Sequence, residues 1–138
     1  MIRQPLLLPA LAAVIVLTSG CGAKQMQVSP PEQVNLTASD NREKVTLFAG
    51  QELIIQLNGN PSTGYTWEAK DLDATMFKQV GGPKFSSSNP NLVGSGGTMT
   101  LTFRVLKTGN ATLTLVYHRP WETSVEPVDT FSITAMVK

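Results

Sequence analysis

The sequence has one cysteine, Cys21, and one histidine, His118, among its 138 residues. A single cysteine excludes an internal disulfide and a cysteine-based metal site. A Ser-His-Asp group can be written from Ser62, His118 and Asp129, but a chain of this size offers such a set by chance. The sequence has no Gly-x-Ser-x-Gly nucleophile motif and no phosphate-binding loop. We therefore expect a protein that is not an enzyme and that requires neither a metal nor a cofactor.

The sequence also has no large excess of basic over acidic residues or the reverse. The chain has 11 basic and 10 acidic residues, a formal net charge of +1, and no block of like charge. Nucleic-acid binding needs clustered Lys and Arg, so we expect no nucleic-acid partner. With 41% hydrophobic residues, the chain is long enough to bury the core of one domain without disulfides or metals. The many Thr and Val residues favour an all-β domain.

The first twenty residues have the composition of a targeting segment. Arg3 gives a positive start, and residues 6–17 form an apolar run of signal-peptide length. This run is too short for a comfortable transmembrane helix, and small residues follow it at once. We predict that residues 1–20 are a lipoprotein-type signal peptide and that the domain is exported.

The position of Cys21, directly after this run, resembles the lipobox of bacterial lipoproteins. There the cysteine is lipidated and becomes the first mature residue. Thr18 departs from the pattern, because Leu is more usual at that position. An ordinary signal peptide that is cut after Ala23 is the alternative.

If Cys21 is lipidated, several acyl chains such as palmitate would anchor the protein stably to a membrane. Residues 21–32 would then be the anchor cysteine and a tether. Gly22 stands where an Asp would indicate inner-membrane retention in enteric-type bacteria. We therefore expect an exported lipoprotein of the cell envelope, in the outer membrane and facing the periplasm or the exterior.

Residues 33–138 consist of short alternating runs separated by Gly, Pro, Asn or Asp. In the clearest run, residues 98–105, every second residue is apolar. The other predicted strands are 33–37, 44–48, 52–57, 66–70, 75–80, 111–118 and 129–137. This pattern predicts an immunoglobulin-like antiparallel β-sandwich of seven or eight strands without a disulfide. We expect the domain to be a monomer.

Three unusual loops are predicted to lie at one end of this sandwich. Because consecutive strands generally reverse direction, loops separated by two strands emerge at the same end. This argument groups residues 60–65, 91–97 and 118–122, whereas the plain turn at 107–110 lies at the other end. Pro61 fixes one backbone dihedral and Gly64 permits a positive φ, so the first of these loops is expected to be stiff. Binding residues are concentrated on such loops, which indicates function at this end.

The aromatic residues near these loops could serve in packing as well as in binding. Trp67 begins a predicted strand and is expected to be a core residue. Tyr65 either packs at the base of its loop or belongs to a binding surface. Trp121 either is an exposed anchor, as Trp often is in interfaces, or folds back over the edge of its own core.

Together the three loops resemble the motifs of the chagasin family of cysteine-protease inhibitors. The first family motif is Asn-Pro-Thr-Thr-Gly-aromatic, the second is Gly-x-Gly-Gly and the third is Arg-Pro-Trp. The residues that match the first motif are Asn60, Pro61, Thr63, Gly64 and Tyr65, with Ser62 in place of a frequent Thr. The second and third motifs are matched by Gly94, Gly96, Gly97, Arg119, Pro120 and Trp121, with Ser95 at the variable position.

The resemblance implies an immunoglobulin-like domain, residues 33–138, that binds papain-like cysteine proteases reversibly and competitively. Residues 60–65 would cover the catalytic cysteine and histidine of the protease. Residues 94–97 would lie along the non-primed side of the cleft, and residues 119–121 would reach the primed side. The alternative is an envelope lipoprotein whose domain binds another protein or peptide and inhibits no protease.

Overall fold

The computed structural model describes residues 29–138 together with Gly20 and Gly22. Cys21 and, apart from Gly20, the predicted signal peptide lie outside the described residues, so both stay predictions. Within the described part of the chain, no helix is long and apolar enough to cross a membrane.

Residues 33–137 form nine strands and two single-turn 3₁₀ helices. The strands are β1 Gln33–Thr37, β2 Lys44–Leu47, β3 Glu52–Gly59, β4 Thr66–Lys70, β5 Phe77–Gln79, β6 Lys84–Ser87, β7 Gly97–Val105, β8 Gly109–His118 and β9 Asp129–Val137. The 3₁₀ helices are Ala38–Asp40 and Pro61–Thr63.

The strands form two sheets. One sheet has the order β1-β3-β7-β5, with β6 also paired to β7, and the other has the order β2-β9-β8-β4. The alternating apolar residues of β3, β7, β8 and β9 point between the sheets and are buried there. The members of this core that the alternation predicted include Leu53, Ile55, Leu57, Met99, Leu101, Phe103, Leu113, Leu115, Phe131 and Ile133. The predicted all-β sandwich is confirmed.

The predicted strand count of seven or eight is too low, because β6 was missed. The side chains of Lys84, Phe85 and Ser86 are exposed, so β6 has no alternation of buried and exposed residues. Backbone pairing with β7 forms this strand instead. β5 and β6 pair with β7 in the same direction and one after the other. Because β5 and β6 run in the same direction, the missed strand adds no reversal of the chain. The argument that placed the three loops at one end is therefore unaffected.

The predicted antiparallel pairing is wrong at two strand pairs. β1 runs parallel to β3, and β2 runs parallel to β9. The chain crosses from one sheet to the other after β1 and again after β2. Each crossing reverses the chain direction, so β1 and β3 point the same way when they meet in one sheet.

Trp67 is a core residue, as predicted, with only 3% of its surface exposed. It lies on β4 between the two sheets, and its indole N–H donates a hydrogen bond to the Asn58 carbonyl, 2.9 Å away. The polar atom of this large side chain is therefore satisfied within the core.

The chain enters the sandwich at the end where β3 begins. Gln51 is buried there, and its side-chain amide donates to the carbonyl of Pro31 and accepts from the Phe48 N–H at 2.7 Å. Gln33 then pairs with Glu52, at the start of β1 and β3. The described N-terminal segment is thus fixed at the end of the domain opposite the first loop, which follows β3.

Candidate protease-binding site

Strand register brings the three predicted loops together. Gly59, at the end of β3, pairs with Gly97, at the start of β7. Thr66, at the start of β4, pairs with His118, at the end of β8. The first loop, residues 60–65, therefore crosses between the sheets with a neighbouring loop on each side. These neighbours are the second loop, residues 88–96, and the third loop, residues 119–128.

The first loop is built around a capped single turn of 3₁₀ helix. Asn60 is the N-cap residue, and its side-chain oxygen accepts from the Ser62 N–H at 3.2 Å. Pro61 opens the turn, where its missing N–H costs nothing. Gly64 ends the turn with φ +83°, and its N–H donates to the Pro61 carbonyl at 3.0 Å. The many turn-forming residues thus specify a rigid projection, and the positive φ predicted for Gly64 is confirmed.

The side-chain hydroxyl groups of this turn form hydrogen bonds within it. Ser62 Oγ donates to Asn60 Oδ1 at 2.6 Å, and Thr63 Oγ1 donates to the Asn60 carbonyl at 2.5 Å. At the base of the loop, the Asn60 N–H donates to the Tyr117 hydroxyl at 2.8 Å. Ser62 and Thr63 are exposed, and their hydroxyls hold the loop in shape.

The second loop is a hairpin that the Ser and Asn side chains hold closed. Ser88 N–H donates to the Gly96 carbonyl at 3.0 Å, which extends the β6–β7 pairing. Ser95 Oγ lies 2.7 Å from Ser87 Oγ and donates to the Asn89 carbonyl at 3.0 Å. Ser95, at the variable position of its motif, therefore braces the loop.

Gly97 lies where this hairpin is most crowded. A Cβ atom there would overlap the Ser86 carbonyl oxygen of β6, so only glycine allows this close pairing.

Two exposed apolar residues of the second loop lie beside the predicted site residues but were not among them. Val93 is fully exposed and Leu92 is 60% exposed. Their exposure was the missing signal, since the sequence pattern around the glycines does not show which way the side chains point. The neighbouring Gly94 carbonyl accepts from Asn60 Nδ2 at 2.9 Å, which links the second loop to the first.

The third loop is linked to the first through Arg119. Its Nε–H donates to the Thr63 carbonyl at 3.0 Å, and its guanidinium carbon lies 4.5 Å from the centre of the Tyr65 ring. Nη1 donates to Glu122 Oε1 at 3.0 Å, and this hydrogen bond raises the pKa of Arg119 above its ordinary value. Glu122 directly follows the Arg-Pro-Trp motif, three residues after Arg119, and was not among the residues predicted for the site.

Trp121 is exposed over 67% of its surface, which confirms the reading as an exposed residue. The alternative, in which it covers the edge of its own core, is wrong. One edge of its ring rests on Gly64, where an added Cβ would overlap Cη2 and lie 3.1 Å from Cζ2. Trp121 thus makes a second contact between the third loop and the first.

Tyr65 packs at the base of the first loop. Its ring centre lies 5.3 Å from that of Tyr117, which in turn lies 5.1 Å from Trp67. With Arg119 above Tyr65, these groups form a stack that runs from the surface to the core. The packing predicted for Tyr65 at the base of its loop is therefore confirmed, and its half-buried side chain still reaches the surface.

The alternative catalytic group is not assembled. Ser62 Oγ is bonded to Asn60, and His118 Nε2 lies 2.8 Å from Glu68 Oε2. Asp129 Oδ1 accepts from the Thr130 N–H at 2.7 Å. Nor do the described residues contain a group of three or more His, Cys, Asp or Glu that could hold a metal ion.

A family model described as chagasin family peptidase inhibitor I42 matches residues 46–135. The chain belongs to the chagasin family. The matched range starts in β2 and ends in β9, so it contains all three loops. Membership of the chagasin family places the protein among peptidase inhibitors rather than enzymes.

Individual relatives are similar to this chain over most of their length. Amoebiasin-1 of Entamoeba histolytica is 30% identical over 90 residues, which cover 64% of this chain and 84% of that protein. Chagasin of Trypanosoma cruzi is 30% identical over 91 residues, which cover 62% and 81%. The crystal structure of the cysteine protease inhibitor EhICP2 from Entamoeba histolytica matches with a TM-score of 0.68 and 26% identity. That match covers 79% of this chain and all of EhICP2.

Proposed function

We propose that this protein inhibits papain-like cysteine proteases reversibly and competitively by inserting its three loops into the active-site cleft. The observation that carries this proposal is the union of the three motif loops into one braced surface. Asn60 bonds the second loop, and Arg119 and Trp121 bond or contact the first loop. A surface that is already ordered loses little conformational entropy on binding, which favours tight association.

The proposed contact surface consists of residues 60–65, 94–97 and 119–121. Its physical character suits a protein partner, because large apolar side chains are exposed around it. The most exposed of these in the described chain are Leu92, Val93, Trp121, Val125 and Val128, all in the second and third loops. Exposed apolar residues concentrated at one end of a domain support an interaction site there.

The shape of the first loop explains why the inhibitor would survive contact with a protease. The turn at Pro61–Thr63 is closed by backbone and hydroxyl hydrogen bonds, so it does not present an extended peptide. Cleavage would require these bonds to open first. We therefore expect the loop to cover the catalytic cysteine and histidine of the protease without being hydrolysed.

We further propose that Cys21 is lipidated and anchors the protein in the cell envelope. Pro31 is held to Gln51 at the end of the domain opposite the three loops. β3 spans eight residues between these ends, about 26 Å at 3.3 Å per residue. A lipid at the N-terminus would therefore leave the loops directed away from the membrane and accessible to a protease.

Titration of papain with residues 22–138 tests the proposed inhibition. Competitive inhibition should raise the apparent KM and leave kcat unchanged, and mass spectrometry should find the inhibitor intact afterwards. Trypsin, a serine protease, should be unaffected at the same concentration. Full papain activity at micromolar inhibitor would contradict the proposal and favour the alternative, a domain that binds another protein or peptide.

A further inference from the structure

Arg119 is a residue type that is common in interfaces, because its planar cation can bind a carboxylate of a partner. Its own contacts point elsewhere. Nε donates to the Thr63 carbonyl of the first loop, Nη1 donates to Glu122 of the third loop, and the guanidinium covers the Tyr65 ring. Three separate parts of the side chain are thus engaged within the molecule.

We propose that Arg119 is a positioning residue that ties the third loop to the first, and that Glu122 acts with it by fixing the guanidinium. The proposal rests on the proposed inhibition of papain-like proteases. Glu122 lies outside the three family motifs, yet it holds Arg119 twice. Its carboxylate accepts from Nη1, and its N–H donates to the Arg119 carbonyl at 3.0 Å.

The three contacts require arginine rather than any cation. The donor atoms Nε and Nη1 lie in one rigid plane, and that plane also covers an aromatic ring. A lysine ammonium is a compact charge at the end of a flexible stem and cannot bond Thr63, bond Glu122 and cover Tyr65 together. Arg119→Lys therefore keeps the charge and removes the positioning geometry.

An inhibition assay tests this requirement for arginine, and the free protein, considered below, separates positioning from direct contact with the protease. If Arg119 positions the loops, Arg119→Lys should raise the inhibition constant for papain about tenfold or more, as expected when charged hydrogen bonds are lost. The matched control is Arg104→Lys, which alters an ion pair of 2.7 Å with Glu52 away from the loops. The control should stay within about twofold of the unchanged protein, since exposed ion pairs contribute little. Arg119→Lys within twofold as well would overturn the proposal.

Glu122 provides a second test with rescue by the conservative variant. Glu122→Ala removes the acceptor for Nη1 and should weaken inhibition about threefold, in line with a partly exposed pair. Glu122→Gln keeps an acceptor oxygen and should restore most of the inhibition. Inhibition by Glu122→Ala equal to that of the unchanged protein would overturn the role of Glu122.

The free protein offers a readout that needs no protease. Arg119→Lys should shift the backbone amide resonances of Thr63 and Gly64, because the carbonyl of Thr63 loses its donor. The amides of β9 should stay unchanged, which also shows that the variant is folded. Unchanged amides in the first loop would overturn the positioning role. Failure of the unchanged protein to inhibit papain would instead refute the proposed function and leave this readout valid.

Discussion

Gly64→Ala is the substitution that most directly tests how the first loop and Trp121 act together. Gly64 has φ +83°, a conformation that residues with a Cβ rarely adopt. The new methyl group would also overlap Trp121 Cη2. The substitution therefore strains the backbone and pushes the exposed tryptophan out of its place.

A matched control separates these two effects. Gly50 has φ +92°, and nothing lies within 4 Å of a Cβ built on it. It precedes β3, at the end of the domain opposite the loops. Forcing an L-residue into the left-handed region costs roughly 1–2 kcal/mol, so both Gly50→Ala and Gly64→Ala should lower the free energy of unfolding by about this amount.

The two variants should differ in inhibition. Because Trp121 is 67% exposed, its ring has room to move away from the new methyl group, so the overlap adds little to the loss of stability. The displaced ring would no longer fit the protease, and we expect a loss of binding on the order of 2 kcal/mol, about thirtyfold. Gly50→Ala should inhibit papain normally.

Urea unfolding and papain titration of both variants decide the matter. In a Trp121→Ala background the overlap is gone, so Gly64→Ala should then weaken inhibition much less than in the unchanged protein. If Gly64→Ala inhibits as well as Gly50→Ala does, the contact between Gly64 and Trp121 has no role in binding.

Three further predictions concern the two tryptophans, Tyr117 and Cys21. Trp121→Ala should change the free energy of unfolding by only about 0.5 kcal/mol but weaken papain inhibition by about 2 kcal/mol or more, whereas Trp67→Ala should lose about 3–5 kcal/mol of stability. Normal inhibition by folded Trp121→Ala would contradict the expected role of Trp121 in binding. Tyr117→Phe removes the acceptor for the Asn60 N–H and should lower the free energy of unfolding in urea by about 1 kcal/mol. It should also weaken inhibition, and an unchanged inhibition constant would refute this expectation. Cys21→Ser should release the protein from membranes without loss of inhibition, and an unmodified N-terminus in mass spectrometry of the native protein would argue against lipidation.

Local sequence pattern was sufficient where burial follows alternation. In β7 and β9 every second residue faces the core, so the strands and their inward faces were predictable from the sequence. β6 could not be found in this way, because its residues are mostly exposed and only the pairing with β7 orders them. The parallel direction of β1 and β3 likewise depends on which sheet each strand joins, and that choice is made by long-range packing.

The turn of the first loop is specified locally. An N-cap Asn60, Pro61 at the start and Gly64 at the end specify a 3₁₀ turn through local backbone preferences alone. The contacts that join this loop to its neighbours depend instead on residues far apart in the chain. Arg119 donates a hydrogen bond to Thr63, a residue 56 positions earlier in the chain, and Asn60 donates one to Gly94, 34 positions later. Such contacts depend on strand register and on how the chain crosses between the sheets, because these bring distant segments side by side. The local sequence pattern does not show which segments will meet.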